Sequence, residues 1–318
     1  MGIPAAYSGW EMPRATRILP YSDETIAVAA RLIVEGQLVA VATETVYGLA
    51  ADASSSAAVA RVYEAKGRPS FNPLIVHVAD LSAAQQIGEF RDDARTLAQT
   101  HWPGPLTLVV PLKEKPGIAS LVTAGLPTVA LRVPAHAAMQ ALLAATGRPL
   151  AAPSANASGS ISATRAEHVI KSLGGRIPLI IDAGPSERGL ESTIIRAAGG
   201  PLRLLRRGPV EVPNAVEVRG DRVEAPGQLA SHYAPAKPLR LNAIDAAEDE
   251  FLIGFGSVPG NESLSPSGDL VEAASRLFDL LHLADASPKK RIAVVSLPDT
   301  GLGAAINDRL SRAAEPRS

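Results

Sequence analysis

Through residue 208, short apolar runs alternate irregularly with stretches of helical spacing, and that alternation admits few folds. Helical spacing marks residues 22–35, 56–66, 91–101, 135–146 and 163–173. Leu38–Val46 reads as a strand entering a turn, and Pro73–Val78, Leu106–Pro111, Thr128–Val133, Leu150–Ala152, Leu179–Asp182 and Thr193–Arg196 are short apolar runs of the length of buried strands. The first helix shows the logic. Ser22 is a good N-cap, Asp23 and Glu24 suit the positive end of the helix dipole, and Gly36 stops the helix. Strands and helices mixed in this way predict an α/β domain built on a large, twisted, mixed sheet.

The pattern changes near residue 209. Pro209, Pro213, Pro226 and Pro235 punctuate an aperiodic stretch that reads as a linker over 209–236. Beyond it the order is strand (Leu252–Gly256), amphipathic helix (Asp269–Ala284), strand (Arg291–Leu297) and helix (Ala304–Ala314). This predicts a small Rossmann-like parallel α/β domain over 237–318. The main domain is then 21–208, and residues 1–20 are expected to be a lead-in without regular structure.

Composition removes several function classes. Lys and Arg number 31 against 32 Asp and Glu, a net charge of −1, whereas general nucleic-acid binders carry a basic surplus. Cysteine is absent, which excludes disulfides, a thiolate nucleophile and Cys-based zinc sites. No apolar run is long enough to span a bilayer, and the first 20 residues lack the apolar core of a signal peptide, so a cytoplasmic address is expected.

The familiar nucleotide and hydrolase signatures are missing, including G-x-x-x-x-G-K-[ST], H-E-x-x-H and G-x-S-x-G. Four other places carry chemistry. Lys66 and Arg68 flank Gly67 at a helix end beside a proline-fixed turn; they either cap the helix in solvent or grip a polyphosphate. His77 lies on the opposite strand face from Val76 and Val78, either as a packed core residue or facing a ligand. In Thr128–Pro134, Arg132 shares a small, polar face with Thr128 and Ala130, and a mid-strand guanidinium needs a partner, either a protein carboxylate or an anionic ligand. The segment Ser154 to Ser162 is rich in hydroxyls and small residues that can present donors to phosphate oxygens. Hydroxyls and cations near residues 191–193 and 203–207 extend the set. Together they suit an enzyme that orients an anionic nucleotide and a small acid by positioning and electrostatics.

These segments, in this order, resemble the YrdC-type threonylcarbamoyl-AMP synthase family in its long two-domain form. The resemblance rests on Thr43-Glu-Thr45-Val-Tyr47-Gly48-Leu49, Lys66-Gly-Arg68-Pro-x3-Pro73-Leu74-Ile-Val-His77, Trp102-Pro-Gly-Pro-Leu-Thr107, Thr128–Pro134, Pro153-Ser-Ala-Asn156-x-Ser-Gly159, Glu191-Ser192-Thr193 and Pro226-Gly227-x4-His232-Tyr233-Ala-Pro235. Ala42 stands where the family often has proline, and Phe71 where a small or acidic residue is common.

The resemblance implies a concave basic cavity in the large domain and ATP-dependent formation of L-threonylcarbamoyl-AMP from L-threonine and bicarbonate or CO2, with release of pyrophosphate. It implies that Thr45, His77, Arg132, Ala152 and Ser192 hold threonine, with Arg132 on its carboxylate. It implies that Lys66, Arg68, Asn72, Thr128, Ser154, Asn156, Ser162, Arg206 and Tyr233 surround ATP, with Mg2+ arriving alongside. Lys66 and Arg68 would align the phosphates; no acid or base and no metal ligand is assigned. The product would pass to a tRNA threonylcarbamoyl-transferase complex that modifies tRNAs reading ANN codons, with at most weak tRNA contact and no membrane role. Two other readings of the same cavity are a non-catalytic RNA-binding module, opposed by only 4% aromatic residues, and a carbamoyl-transfer enzyme with another acceptor.

Overall fold

The computed structural model describes residues 15–218, 223–228 and 232–315. The large unit begins with β1 (Arg17–Pro20), α1 (Asp23–Val34), β2 (Val39–Val41), β3 (Gly48–Asp52), α2 (Ser56–Lys66), β4 (Ile75–His77), α3 (Leu81–Ile87) and α4 (Asp92–His101). It continues with β5 (Leu106–Pro111), α5 (Ser120–Thr123), β6 (Thr128–Arg132), α6 (Ala137–Thr146), β7 (Leu150–Ala151), α7 (Ala166–Leu173), β8 (Leu179–Asp182), β9 (Thr193–Arg196), β10 (Arg203–Arg206) and β11 (Val216–Glu217). The strands form one mixed sheet of 11, ordered β1-β8-β2-β3-β7-β4-β6-β5-β9-β10-β11. The expected mixed α/β architecture is therefore observed.

Its centre positions the chemistry. β4 runs parallel to β6 with His77 opposite Arg132, and β5 pairs antiparallel with β6 and parallel with β9. The two-residue period of strands then sorts the side chains. Val76, Leu108, Leu131 and Ile195 enter the main core on one face, while Ile75, Val109, Ala130 and Ile194 form a thin apolar layer on the other. His77, Arg132 and Ser192 lie two residues from members of that thin layer and share its face. Both ends of α2 are set locally. Ser55 Oγ accepts from the Ala58 amide at the start, and Gly67 closes the end at φ +60, a conformation that glycine adopts without strain and that places Lys66 and Arg68 on either side of the reversal.

Two details differ from the sequence reading. Leu38–Val46, read as a strand entering a turn, has a shorter strand than that: β2 stops at Val41 because the Thr43 hydroxyl donates to the Val46 carbonyl at 2.6 Å and accepts the Thr45 and Val46 amides. That side-chain turn replaces ladder pairing with a local one. Arg17–Pro20, assigned to the lead-in, pairs in parallel with β8 as an edge strand; with three of its four residues exposed, it carries little apolar pattern to read.

The small unit comprises β12 (Leu239–Ala243), β13 (Glu250–Gly254), β14 (Glu262–Ser263), α8 (Leu270–Ala286), β15 (Arg291–Val295) and α9 (Gly301–Ala314). Its sheet is all parallel in the order β12-β15-β13-β14, as expected, with two strands beyond the pair read from sequence. Its apolar cluster is continuous with Val46, Ile161, Leu190 and Tyr233, so the two units share packing. Among the described residues no helix is long and apolar enough to cross a membrane.

Candidate active site

The central face of the large sheet floors a cavity, and its walls come from distant parts of the chain. Thr45 and Tyr47 line it from the β2–β3 turn, Ala152 and Ser154 from the segment after β7, and Glu191 and Ser192 from the start of β9. Pro226, Gly227, His232 and Tyr233 reach it from the stretch between the two units. Of the residues singled out in the sequence, Thr45, Arg68, His77, Arg132, Ala152, Ser154, Ser192, Arg206 and Tyr233 all line this one hollow. Lys66, Asn72, Asn156 and Ser162 are buried directly behind it through bonded neighbours, and Thr128 lies on the Arg132 face of β6, two pleats away.

Of the two partners open to it, Arg132 takes a protein carboxylate, and it adds a hydroxyl and a backbone carbonyl. Nη2 donates to Glu44 Oε1 at 2.6 Å, Nη1 to Thr45 Oγ1 at 2.9 Å and Nε to the Gly104 carbonyl at 3.2 Å. A guanidinium has five N–H donors, so two remain without a partner among the described residues. Burial pushes the Glu44 carboxyl upward, but the Arg132 charge and hydrogen bond override it and hold it below the usual carboxylate range. The Arg132–Glu44 pair is therefore ionic, buried and close to neutral overall. Beside it, burial and then the Arg132 charge push His77 down to about 3, so the ring is neutral; its Nδ1 has no hydrogen-bond partner among the described residues.

The opposite side is different. Arg206 donates through Nε to the Ser192 carbonyl at 3.0 Å and through Nη2 to Ser192 Oγ at 3.1 Å, while Ser192 Oγ also meets Thr107 Oγ1 at 2.7 Å. Arg68 donates to the carbonyls of Asn72 and Pro73 at 3.2 and 2.9 Å. Lys66 Nζ donates to the carbonyls of Ser154 and Asn156, tying down the hydroxyl-rich loop. All three cations are buried, and no carboxylate of a described residue lies within 4.0 Å of them. Burial drives Lys66 well below the ordinary lysine range, with Arg68 adding to the effect, and lowers Arg68 to about 10. Buried polar atoms on this side also lack partners: both amide atoms of Asn72, Asn156 Oδ1 and the Tyr233 hydroxyl. Desolvated charge without a counter-ion is expensive, and an anionic ligand is what would offset it.

The sequence reading assigned no role to Glu44, Glu191, His232 or Arg309. Glu191 accepts from Ser162 Oγ at 2.5 Å and from Arg309 Nε at 2.8 Å. Arg309 comes from α9, where the buried stripe Ala305, Ile306, Leu310 and Ala313 surrounds it. An arginine set into an apolar stripe was the available signal. Tyr233 adopts φ +66, and its ring packs 5.6 Å from that of Phe278 and 4.1 Å from that of His232.

Comparison with known proteins follows this geometry. The family model Sua5_yciO_yrdC, described as "Telomere recombination", matches residues 31–208, and Sua5_C, described as "Threonylcarbamoyl-AMP synthase, C-terminal domain", matches residues 195–315. The chain is 39% identical to a threonylcarbamoyl-AMP synthase of Bacillus subtilis over 94% of its own length and 95% of the relative's. It is 37% identical to that of Pyrococcus abyssi, over 91% and 94%. The crystal structure of P. abyssi Sua5 complexed with L-threonine superposes with a TM-score of 0.85 at 35% identity, covering 94% of this chain and 96% of that one. Two family matches in tandem and near-complete coverage of two-domain relatives place this chain in the Sua5/YrdC family of threonylcarbamoyl-AMP synthases, enzymes of the nucleotidyl-transferring kind.

Proposed function

We propose that the protein condenses L-threonine, bicarbonate or CO2, and ATP into L-threonylcarbamoyl-AMP, releasing pyrophosphate. The observation that carries this reading is the division of charge around one cavity: Arg132 balanced by Glu44 beside neutral His77, facing Lys66, Arg68 and Arg206, within 4.0 Å of which no carboxylate of a described residue lies. The two free N–H donors of Arg132 take the threonine carboxylate, and Thr45, Ser192 and the backbone at Ala152 complete that pocket. Lys66, Arg68 and Arg206 take the triphosphate, with hydroxyls of Ser154, Ser162 and Thr128, the Asn72 amide and the Tyr233 ring around the nucleotide.

The threonine amine, once neutral, bonds to the carbon of CO2 and loses a proton to solvent, or bonds to that of bicarbonate as its C–OH bond breaks and the hydroxide leaves with that proton as water; either way a carbamate results. A carbamate oxygen then bonds to the α-phosphorus as the bond to the pyrophosphate oxygen breaks in line. The chain's own contribution is alignment and stabilisation of charge growing on phosphate oxygens by the buried cations, whose effect is large in a dry site. Among the described residues no group of three His, Asp or Glu side chains could hold a metal. The partnerless Asn156 Oδ1 is the hard oxygen available to Mg2+ or its water, and Mg2+ commonly binds through substrate phosphates and water. When bound, the ion would neutralise phosphate charge. The product is a mixed anhydride that a separate transferase would pass to tRNA in the cytoplasm.

The test is to incubate the protein with threonine, bicarbonate and ATP·Mg and to follow pyrophosphate together with the mass of the adenylate. Threonine-dependent release of both is expected. Pyrophosphate release indifferent to threonine would overturn the reading in favour of another acceptor, and stabilisation by tRNA alone would favour a binding module.

A further inference from the structure

We infer that Arg309 of the small domain is the positioning residue for the nucleotide half of the cavity, because its guanidinium joins Glu191, the Tyr233 ring and the Arg207 carbonyl in one buried contact. The inference rests on the proposed function and extends it to a residue outside the large domain.

Arg309 is the largest fully buried side chain among the described residues, at 0% exposure, although it sits on a helix of the small domain. Three of its four contacts lead to residues on the nucleotide side. Nε meets Glu191 Oε2 at 2.8 Å, and the other oxygen of that carboxylate accepts from Ser162 Oγ. The guanidinium carbon stands 5.3 Å from the Tyr233 ring centroid, within cation–π range. Nη2 donates at 2.8 Å to the carbonyl of Arg207, the residue after Arg206. Nη1 is held by Asp308 at 2.7 Å, so the fork is fixed from its own helix. Arg132, Thr45 and His77 receive no bond from it.

The arrangement has a physical consequence. Tyr233 holds a left-handed backbone (φ +66) that a non-glycine residue keeps only when its surroundings impose it. Arg309 and Phe278, both from the small domain, flank its ring, and the Gly159 carbonyl accepts the amide of the next residue at 2.8 Å. Glu191 needs a cation as well: buried and uncompensated, its carboxylate would compete with a triphosphate for the cations of the site. Arg309 bonds that carboxylate from behind and is the larger of its two charge partners, Arg206 being the other, so less of the Arg206 field is spent on Glu191. The small domain thus acts on the nucleotide side through a guanidinium that touches no reacting atom, together with the Phe278 ring.

Three variants test this. Arg309→Lys keeps the charge and loses the planar fork. Arg309→Met alone leaves Glu191 unpaired. Arg309→Met with Glu191→Leu replaces the pair by apolar side chains, an exchange that buried pairs often tolerate. Steady-state kinetics with each substrate varied, binding of ATP without threonine, and melting temperature are measured together. The expected result is that Arg309→Lys and the double variant melt close to the wild type but need about tenfold more ATP or beyond, the cost of one charge-assisted hydrogen bond, with the threonine KM nearly unchanged. If these two variants fold normally and keep the wild-type KM for ATP, or if both KM values rise in parallel, Arg309 only holds the domains together and the inference is overturned. A wild-type protein that makes no threonylcarbamoyl-AMP would instead remove the proposed function.

Discussion

Replacing Arg132 separates two duties that one guanidinium performs. It neutralises Glu44, which is 5% exposed, and it offers two spare donors to a carboxylate. Arg132→Lys preserves a point charge next to Glu44 but cannot present a fork to a second carboxylate as well. Losing one charge-assisted bond of that kind costs about 2 kcal/mol, or roughly 30-fold in the threonine KM. Arg132→Ala does more, because it strands a buried carboxylate whose Oε2 already lacks a partner; breaking a buried pair from one side costs about 3–5 kcal/mol of stability. Adding Glu44→Gln to the alanine variant should return much of that stability and none of the threonine affinity. The assay is thermal melting alongside threonine-dependent pyrophosphate release at saturating ATP. A lysine variant whose threonine KM stays within about threefold of the wild type would refute the assignment, and an alanine variant that melts normally would refute the role given to Glu44.

Lys66 carries a second prediction. Because burial lowers its proton affinity in the free protein, a phosphate placed beside it should restore the proton. ATP binding at alkaline pH should then take up protons, seen as a binding heat that depends on the buffer's ionisation enthalpy; heats independent of the buffer would argue against phosphate contact there. Acid should also destabilise the fold through its histidines. His77, His232 and His282 are pushed down to about 3 and His168 to about 4, each chiefly by burial, whereas unfolded histidines titrate near ~6.5. The unfolded chain therefore binds more protons between about pH 6.5 and about pH 4, so stability is full above that window and falls through it, by up to about 1.4 kcal/mol per pH unit for each histidine. A melting temperature flat from neutrality to about pH 5 would contradict this; His282→Gln should flatten the curve, since His282 stacks on His168 at 3.8 Å and meets the Ser162 carbonyl at 3.1 Å. Finally, a methyl group at Gly208 would come within 2.4 Å of the Thr193 amide and 2.7 Å of the Glu191 carbonyl. Gly208→Ala should cost about 1–3 kcal/mol by overpacking against backbone and raise the threonine KM through Ser192; unchanged melting would show that β9 yields freely.

What the sequence reveals of this site follows from how local each cause is. The two faces of β4 and β6 are legible because a strand alternates, so His77 and Arg132 separate from Val76 and Leu131 without further information. The end of α2 is legible because Gly67 marks it, and with it the placing of Lys66 and Arg68. The partner of Arg132 is not, because Glu44 lies 88 positions away and pairing at that distance leaves no local trace. The break after Val41 is hidden differently: Leu38–Val46 has strand composition throughout, and only the hydroxyl of Thr43 overrides it. Arg309 was readable as a cation in the buried stripe of α9, but what it meets is set by how the two units pack.

The two carboxylates near the cavity explain why one hollow can take two unlike substrates. Glu44 and Glu191 are both buried, yet each is spent on a different arginine: Glu44 on Arg132, which faces inward, and Glu191 on Arg309, which does not. On the first side the charges cancel locally, and a neutral imidazole adds none. Such a pocket attracts a zwitterion through placed donors without drawing in a polyanion. On the second side the carboxylate is bonded from outside the cavity, so Arg68 and Arg206 keep a field for a ligand that Glu191 offsets only in part at Arg206, and Lys66 adds its charge when a phosphate restores its proton. Reversing either pairing would change selectivity in kind: freeing Glu191 would cancel Arg206 and weaken nucleotide binding, whereas removing Glu44 would leave Arg132 as a fourth uncompensated cation and invite phosphate into the amino-acid pocket. Glu44→Gln should therefore bind inorganic phosphate or pyrophosphate in competition with threonine, which the wild type should not, and inhibition by pyrophosphate that competes only with ATP in both proteins would dismiss this account of selectivity.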